Sequence, residues 1–217
     1  MIKTVIFDMD GVLIDTETIC ARAWLESAKL NGISDIEATT VSCIGLNETD
    51  TKAYFMGKYG ESMPYGQFKE DSTRIFYEIA DREGVAVKTG AYELMAFLKE
   101  QGFRIGLASS SREYSVRLHM GRTRLIDYFE ILMTGDKVIH SKPDPEIYLK
   151  ACEEMGVAPG QTIAIEDSFN GIRSAYQAGM KVIMVPDMVK PTEEIMPMLY
   201  GCFETLLDVK TFLEKMN

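Results

Sequence analysis

The chain has 217 residues, 46% of them hydrophobic and 26% charged, which provides a sizeable core in an ordinary globular protein. Its 23 basic and 33 acidic side chains give a formal net charge of −10. Such a surface repels nucleic-acid backbones unless a local basic patch intervenes, and the sequence has none.

Taken in chain order, the residues divide into two textures. Thr4–Phe7 is a short apolar strand that ends in Asp8-Met9-Asp10-Gly11. The pattern is then helical, with helices expected over Thr16–Asn31, Asp50–Tyr59 and Tyr65–Glu83, each followed by a glycine that can end it. Beyond Gly90, amphipathic helices alternate with apolar strands. Helix Ala91–Gln101 precedes strand Phe103–Ala108, and helix Glu113–Arg122 precedes strand Phe129–Met133. Helix Pro145–Met155 precedes strand Thr162–Ile165, helix Gly171–Ala178 precedes strand Lys181–Val185, and Leu206–Met216 closes the chain as a helix. Nearly all-apolar strands alternating with helices predict a parallel sheet covered on both faces. The expected fold is therefore α/β, a Rossmann-like parallel sheet core with an inserted helical cap. The core takes residues 1–15 and 89–217 and the cap residues 16–88.

Ligands of open α/β sheets bind beyond the carboxyl ends of the strands, so the polar residues there matter most. Strand one ends in Asp8 and Asp10, and strand two in Ser109-Ser110-Ser111-Arg112. Lys142-Pro143 follows strand three, and Glu166-Asp167-Ser168 follows strand four. Each alone has an ordinary explanation as an Asx turn, a helix cap or a solvated turn. Together they place three carboxylate clusters, hydroxyls and a lysine on one sheet edge.

Electrostatics suggests their use. A carboxylate approaching a phosphate dianion to ~3.3 Å meets about 10 kcal/mol of repulsion at an effective dielectric near 20. A Mg²⁺ held by Asp8 and Asp167, with the Lys142 ammonium, would cancel it. Ser109 and backbone N–H groups near Ser110 would hold the remaining oxygens, Asp8 would attack phosphorus, and Asp10 would serve as acid and base.

The motifs Phe7-Asp8-Met9-Asp10-Gly11-Val12-Leu13, Ala108-Ser109-Ser110-Ser111, Lys142-Pro143-Asp144-Pro145 and Ile165-Glu166-Asp167-Ser168 follow one another in order. By them the chain resembles the haloacid dehalogenase-like hydrolase superfamily over essentially its whole length, with most similarity to the β-phosphoglucomutase and sugar-phosphatase subgroup. The resemblance implies Asp8 as phosphoryl-accepting nucleophile, Asp10 as acid/base and metal ligand through its carbonyl, and Ser109 and Lys142 as phosphate ligands. It also implies Asp167 on Mg²⁺ with Glu166 in support. The mutases carry a cap histidine where Cys20 stands before Arg22-Ala23-Trp24, and a cap arginine where Gly45-Leu46-Asn47-Glu48 offers an acid. That departure favours a phosphatase of a small phosphorylated metabolite over a mutase. A non-catalytic phosphoryl-ligand sensor is the alternative from another class.

Cys20, Trp24, Gly45, Asn47, Glu48 and Arg112 are the expected substrate-selecting residues, with Trp24 read in preference as cap core and Arg112 alternatively as a helix first turn. Cys20, Cys43, Cys152 and Cys202 are scattered and read as reduced thiols. The first residues lack the pattern of a signal peptide and no apolar run is long enough to span a bilayer, so a cytoplasmic monomer with no membrane partner is expected.

Overall fold

A computed structural model describes residues 2–43 and 48–216. In chain order the elements are β1 (Thr4–Phe7), α1 (Glu17–Leu30), α2 (Ile36–Cys43), α3 (Glu48–Tyr59), α4 (Tyr65–Glu83) and α5 (Ala91–Glu100). There follow β2 (Arg104–Ser109), α6 (Glu113–Arg122), β3 (Ile131–Thr134), α7 (Glu146–Met155), β4 (Thr162–Glu166), α8 (Phe169–Gln177), β5 (Lys181–Met184), β6 (Leu199–Cys202) and α9 (Leu206–Glu214). Two compact units result, one of residues 1–14 and 87–217, the other of residues 15–86.

The first unit is a parallel sheet ordered β3-β2-β1-β4-β5-β6. Its middle strand, β1, is four apolar or β-branched residues with every side chain buried, as a strand covered on both faces requires. The chain leaves β1 toward β2 and β3, then returns to β1's other side as β4, so the order switches at the β1–β4 boundary. Such a switch leaves a crevice at the carboxyl ends of the two strands. Register places Phe7 between Leu107 and Ile165. The residues just beyond β1 therefore face Ser109 on one side and Glu166 on the other.

Side chains of alternate residues, Ile6, Ala108, Ala164 and Val182, share a core with Ile147, Tyr148 and Ala151 of α7 and Ile172 and Ala175 of α8. Helix α5 packs on β2 and on α9. The sheet has a sixth strand that the sequence pattern does not reveal. Leu199-Tyr200-Gly201-Cys202 is short, includes a glycine and lies at the sheet edge beside β5, where burial imprints no apolar run.

The second unit is all-helical among its described residues. Helices α1 and α4 are its principal packing partners, tied by the buried Ser27 hydroxyl donating to the Phe68 carbonyl at 2.8 Å. Trp24 meets Phe55 and Phe68 edge-on at 5.4 and 5.7 Å between centroids, inside a cluster with Ala28, Ile36 and Met63. Such edge-to-face pairs add about 0.5–1.5 kcal/mol each beyond burial. Helix α2 also escapes the sequence reading. It is rich in β-branched residues, and Thr40 and Ser42 hydroxyls donate to the carbonyls of Ile36 and Ala38 four residues back, both at 2.9 Å. Side chains of this kind compete with helix formation and mask the periodicity.

Candidate active site

The site is built from the loops that leave β1, β2 and β4 and from the segment entering α7. Beyond β1, Gly11 turns the chain at φ +77, and a β-carbon there would overlap the Asp167 carboxylate. Only glycine permits both the left-handed backbone and that approach. Asp8 is left buried at the tip of β1, its N–H donating to the Ile165 carbonyl at 3.0 Å.

Lys142 reaches this point from far along the chain. Its ammonium is buried and donates to Asp8 Oδ1 at 2.6 Å, Glu166 Oε1 at 2.6 Å and the Ala108 carbonyl at 3.1 Å. All three of its donors are thereby occupied. The segment carrying Lys142 is pinned from two sides. From α8, Ser174 donates to the Asp144 carbonyl at 2.7 Å and Gln177 to that of Pro143 at 3.1 Å. From α7, the Glu146 carboxylate accepts the N–H groups of Ile139 and His140 at 3.0 and 2.7 Å.

The Lys150 ammonium and those two N–H groups lower the Glu146 carboxyl to about 2. A depressed carboxylate holds its partners above its unfolded value and releases them as pH falls through the folded one. Amide exchange at Ile139 and His140 is therefore expected to accelerate as pH drops from about 4.5 toward about 2, after correction for intrinsic rates. Equal protection in Glu146→Gln at neutral pH would contradict this.

Glu166 is fully buried and surrounded by donors. Lys142 and the Tyr148 hydroxyl both reach its Oε1, each at 2.6 Å, and Ser168 donates to Oε2 at 3.3 Å. Gly171 closes the seat, since a β-carbon there would collide with every atom of the carboxylate. The first turn of α8 lies under it, with the Ser168 hydroxyl accepting the Gly171 N–H at 3.1 Å. Gly171→Ala is expected to cost at least about 2 kcal/mol, because the carboxylate cannot move without leaving Lys142 unpaired. Denaturant unfolding measures it, and a cost within the ±0.5 kcal/mol typical of surface changes would refute the seat.

One carboxylate oxygen from each of Asp8, Glu166 and Asp167 lies within 4.8 Å of the others, and all three residues are buried. This cluster can hold a metal ion. One ammonium faces two buried carboxylates with Asp10 nearby, so negative charge is in excess. Burial pushes the Asp8 carboxyl well above its ordinary value, against the pull of Lys142, and Glu166 and Asp10 add to the rise. The same two carboxylates overcome the burial of Lys142 and hold it protonated.

The Asp10 carboxylate turns the other way. Ser109 and Ser111 hydroxyls donate to its Oδ2 at 3.3 and 2.9 Å, and the Ser111 N–H donates to the Ser109 hydroxyl at 3.0 Å. Ser109 is fully buried, while Ser110 and Arg112 are exposed, Arg112 as the cap of α6. Of the remaining expected residues, Trp24 is interior to the helical unit and Cys20 packs against the same cluster half-buried. Glu48 is exposed at the start of α3, and Gly45 and Asn47 lie outside the described residues.

Sequence reading passed over Ser111, Tyr148 and Asp187. Asp187 follows β5, pairs with Lys88 at 2.7 Å and turns its buried Oδ2 toward Gly11. For Ser111 the signal was present, since it repeats the hydroxyl two residues after Ser109 at a strand end. Tyr148 and Asp187 left none, because their partners come from distant parts of the chain.

A parallel sheet carrying a buried carboxylate trio and a lysine at its switch point marks an α/β protein with a charged site at the carboxyl ends of its strands. The chain belongs to the haloacid dehalogenase-like hydrolases, whose family pattern it matches over residues 5–185. It is 30% identical over 216 residues to the phosphorylated carbohydrates phosphatase of Thermotoga maritima, covering 98% of this chain and 90% of that one. It is 31% identical over 188 residues to hexitol phosphatase B of Escherichia coli, covering 85% and 84%. In fold it matches CbbY of Rhodobacter sphaeroides, solved in complex with phosphate, with a TM-score of 0.81, 24% identity and 96% of both chains covered.

Proposed function

We propose that this hydrolase is a magnesium-dependent phosphatase of small phosphorylated carbohydrates. The observation that carries the reading is Lys142, clamped between Asp8 and Glu166 beside Asp167. The two related phosphatases support the phosphoryl and carbohydrate parts of it. The all-oxygen donors of Asp8, Asp167 and Glu166, with the Asp10 carbonyl, suit Mg²⁺ rather than zinc. When bound, Mg²⁺ would supply positive charge to the phosphoryl oxygens.

Asp8 attacks phosphorus through a carboxylate oxygen. The bond to the leaving oxygen breaks as Asp10 gives that oxygen a proton. The resulting aspartyl phosphate is opened by water, whose proton Asp10 takes, and inorganic phosphate leaves. Lys142 neutralises charge at Asp8, while Ser109, Ser110 and nearby N–H groups hold the phosphoryl oxygens. Ser109 and Ser111 keep Asp10 turned toward the strand-two loop before substrate enters. The division into a core of residues 1–15 and 89–217 and an inserted cap of residues 16–88 belongs to the same proposal, as does the expectation that Glu48 disfavours a mutase.

Release of phosphate from an aryl phosphate, with and without Mg²⁺, tests the reaction class, followed by a panel of hexose and hexitol phosphates. Asp10→Asn is expected to slow hydrolysis by about 10²–10⁴-fold for alkyl phosphates and less for a nitrophenyl ester, which needs no proton on departure. Equal loss on both substrates would remove Asp10 from its role as acid and leave it only that of base toward water. No release from any monoester would favour the phosphoryl-ligand sensor.

A further inference from the structure

The phenol of Tyr148 has no part in the reaction as set out above, yet it is fully buried and lies against two charges of the site. Its hydroxyl donates to Glu166 Oε1 at 2.6 Å, the same oxygen that accepts Lys142. Its ring lies 5.1 Å from the Lys142 ammonium. We propose that Tyr148 is a positioning residue for phosphoryl transfer, holding Glu166 so that the Lys142 ammonium stays on Asp8. The inference rests on the proposed phosphatase reading.

Glu166 Oε1 can accept from two donors, and it has two. Ser168 holds the other half of the carboxylate, at Oε2, and Gly171 leaves room for the whole group. Lys142 bonds to Asp8, Glu166 and the Ala108 carbonyl, so where Oε1 stands decides where the ammonium stands. At 2.6 Å from a carboxylate oxygen, which can only accept, the phenol is the donor. The ring face offers the ammonium a second attraction that phenylalanine would preserve. The hydroxyl alone is thus the part that sets Glu166, and Tyr148→Phe removes it with little change of shape.

The experiment measures kcat and KM of wild type, Tyr148→Phe, Glu166→Gln and the double variant on an aryl phosphate. Rates are referred to the folded fraction, and Mg²⁺ binding is titrated calorimetrically in parallel. Tyr148→Phe should lower kcat about tenfold or more, since misplacing a reacting group by 1 Å can cost about 10²-fold. KM should change less than about threefold, and the loss of kcat should persist at saturating Mg²⁺. In the Glu166→Gln background the same change should have no further effect, because the two residues act in series.

An unchanged kcat per folded molecule overturns the proposal, as does a loss confined to Mg²⁺ affinity or a full additional loss in the double variant. If Tyr148→Phe does not fold, 4-fluorophenylalanine at position 148, which occupies the place of the hydroxyl but cannot donate, replaces it, and an unchanged kcat there overturns the proposal equally. Absence of turnover in wild type would instead count against the phosphatase reading.

Discussion

Asp8→Asn is expected to reduce aryl phosphate turnover by roughly 10⁴–10⁶-fold, the scale of removing a nucleophile, while the protein remains folded and loses no stability. The change keeps the shape of the side chain and removes the oxygen proposed to attack phosphorus. Its effect on stability follows from charge. Asp8, Glu166 and Lys142 sum to one negative charge in a buried space, and burial already disfavours the ionised Asp8 carboxyl. A carboxyl whose value is raised on folding weakens the native state above that value. The amide therefore relieves the cluster, and the midpoint of thermal unfolding should stay level or rise by about 2–4 °C, the equivalent of about 1 kcal/mol at this size. Mg²⁺ should raise the midpoint of wild type more than that of the variant. Activity above a few per cent, or a fall in the midpoint, would contradict Asp8 as a nucleophile in an over-charged site.

Lys142→Ala is the second large effect. It leaves two buried carboxylates facing each other with no ammonium between them. Removing one partner of a buried ion pair costs about 3–5 kcal/mol, and turnover should disappear with it. The pH dependence has a definite sign. Without Lys142 the two carboxyls bind protons more readily folded than unfolded, so the variant's stability should rise as pH falls from about 8 to about 5. Wild type, whose Asp8 carboxyl is also raised by burial, should show a smaller gain, because its ammonium already balances one charge. Denaturant unfolding across that range decides the matter. A loss of stability independent of pH would mean that lost packing, not lost charge balance, is the cause.

Much of this arrangement is legible in the sequence because it rests on short-range signals. Four apolar or β-branched residues ending in Asp-x-Asp-Gly announce a buried strand that delivers carboxylates, and β1 does so. Ser-Ser-Ser, Lys-Pro and Glu-Asp-Ser fall at loops that a parallel sheet must gather on one edge, and strand order brings β2 and β4 beside β1. What remained hidden depends on three-dimensional neighbours. The 2.6 Å contact of Tyr148 with Glu166 joins a helix to a strand that follows it, and in Ile-Tyr-Leu-Lys-Ala the tyrosine reads as one more core residue. Asp187 likewise looks like a turn residue after β5 until Gly11 is seen beside it. Helix α2 and strand β6 were unreadable for local reasons, one through competing hydroxyls and the other through its length and edge position.

The junction between residues 14 and 87 has a consequence for how such a chain diversifies. Ile14 and Val87 face each other in an antiparallel bridge, and Lys88 donates to the Leu13 carbonyl at 2.9 Å. The sheet unit thus meets the inserted segment at two points held side by side, as the strands of a hairpin are held across their turn. The entropy of closing a loop rises only as the logarithm of its length, about 0.6 kcal/mol per doubling. A segment of almost any size can be exchanged between those two residues at little cost to the sheet. Selection can then rework what enters at this seam while Asp8, three residues before Gly11, stays where β1 puts it.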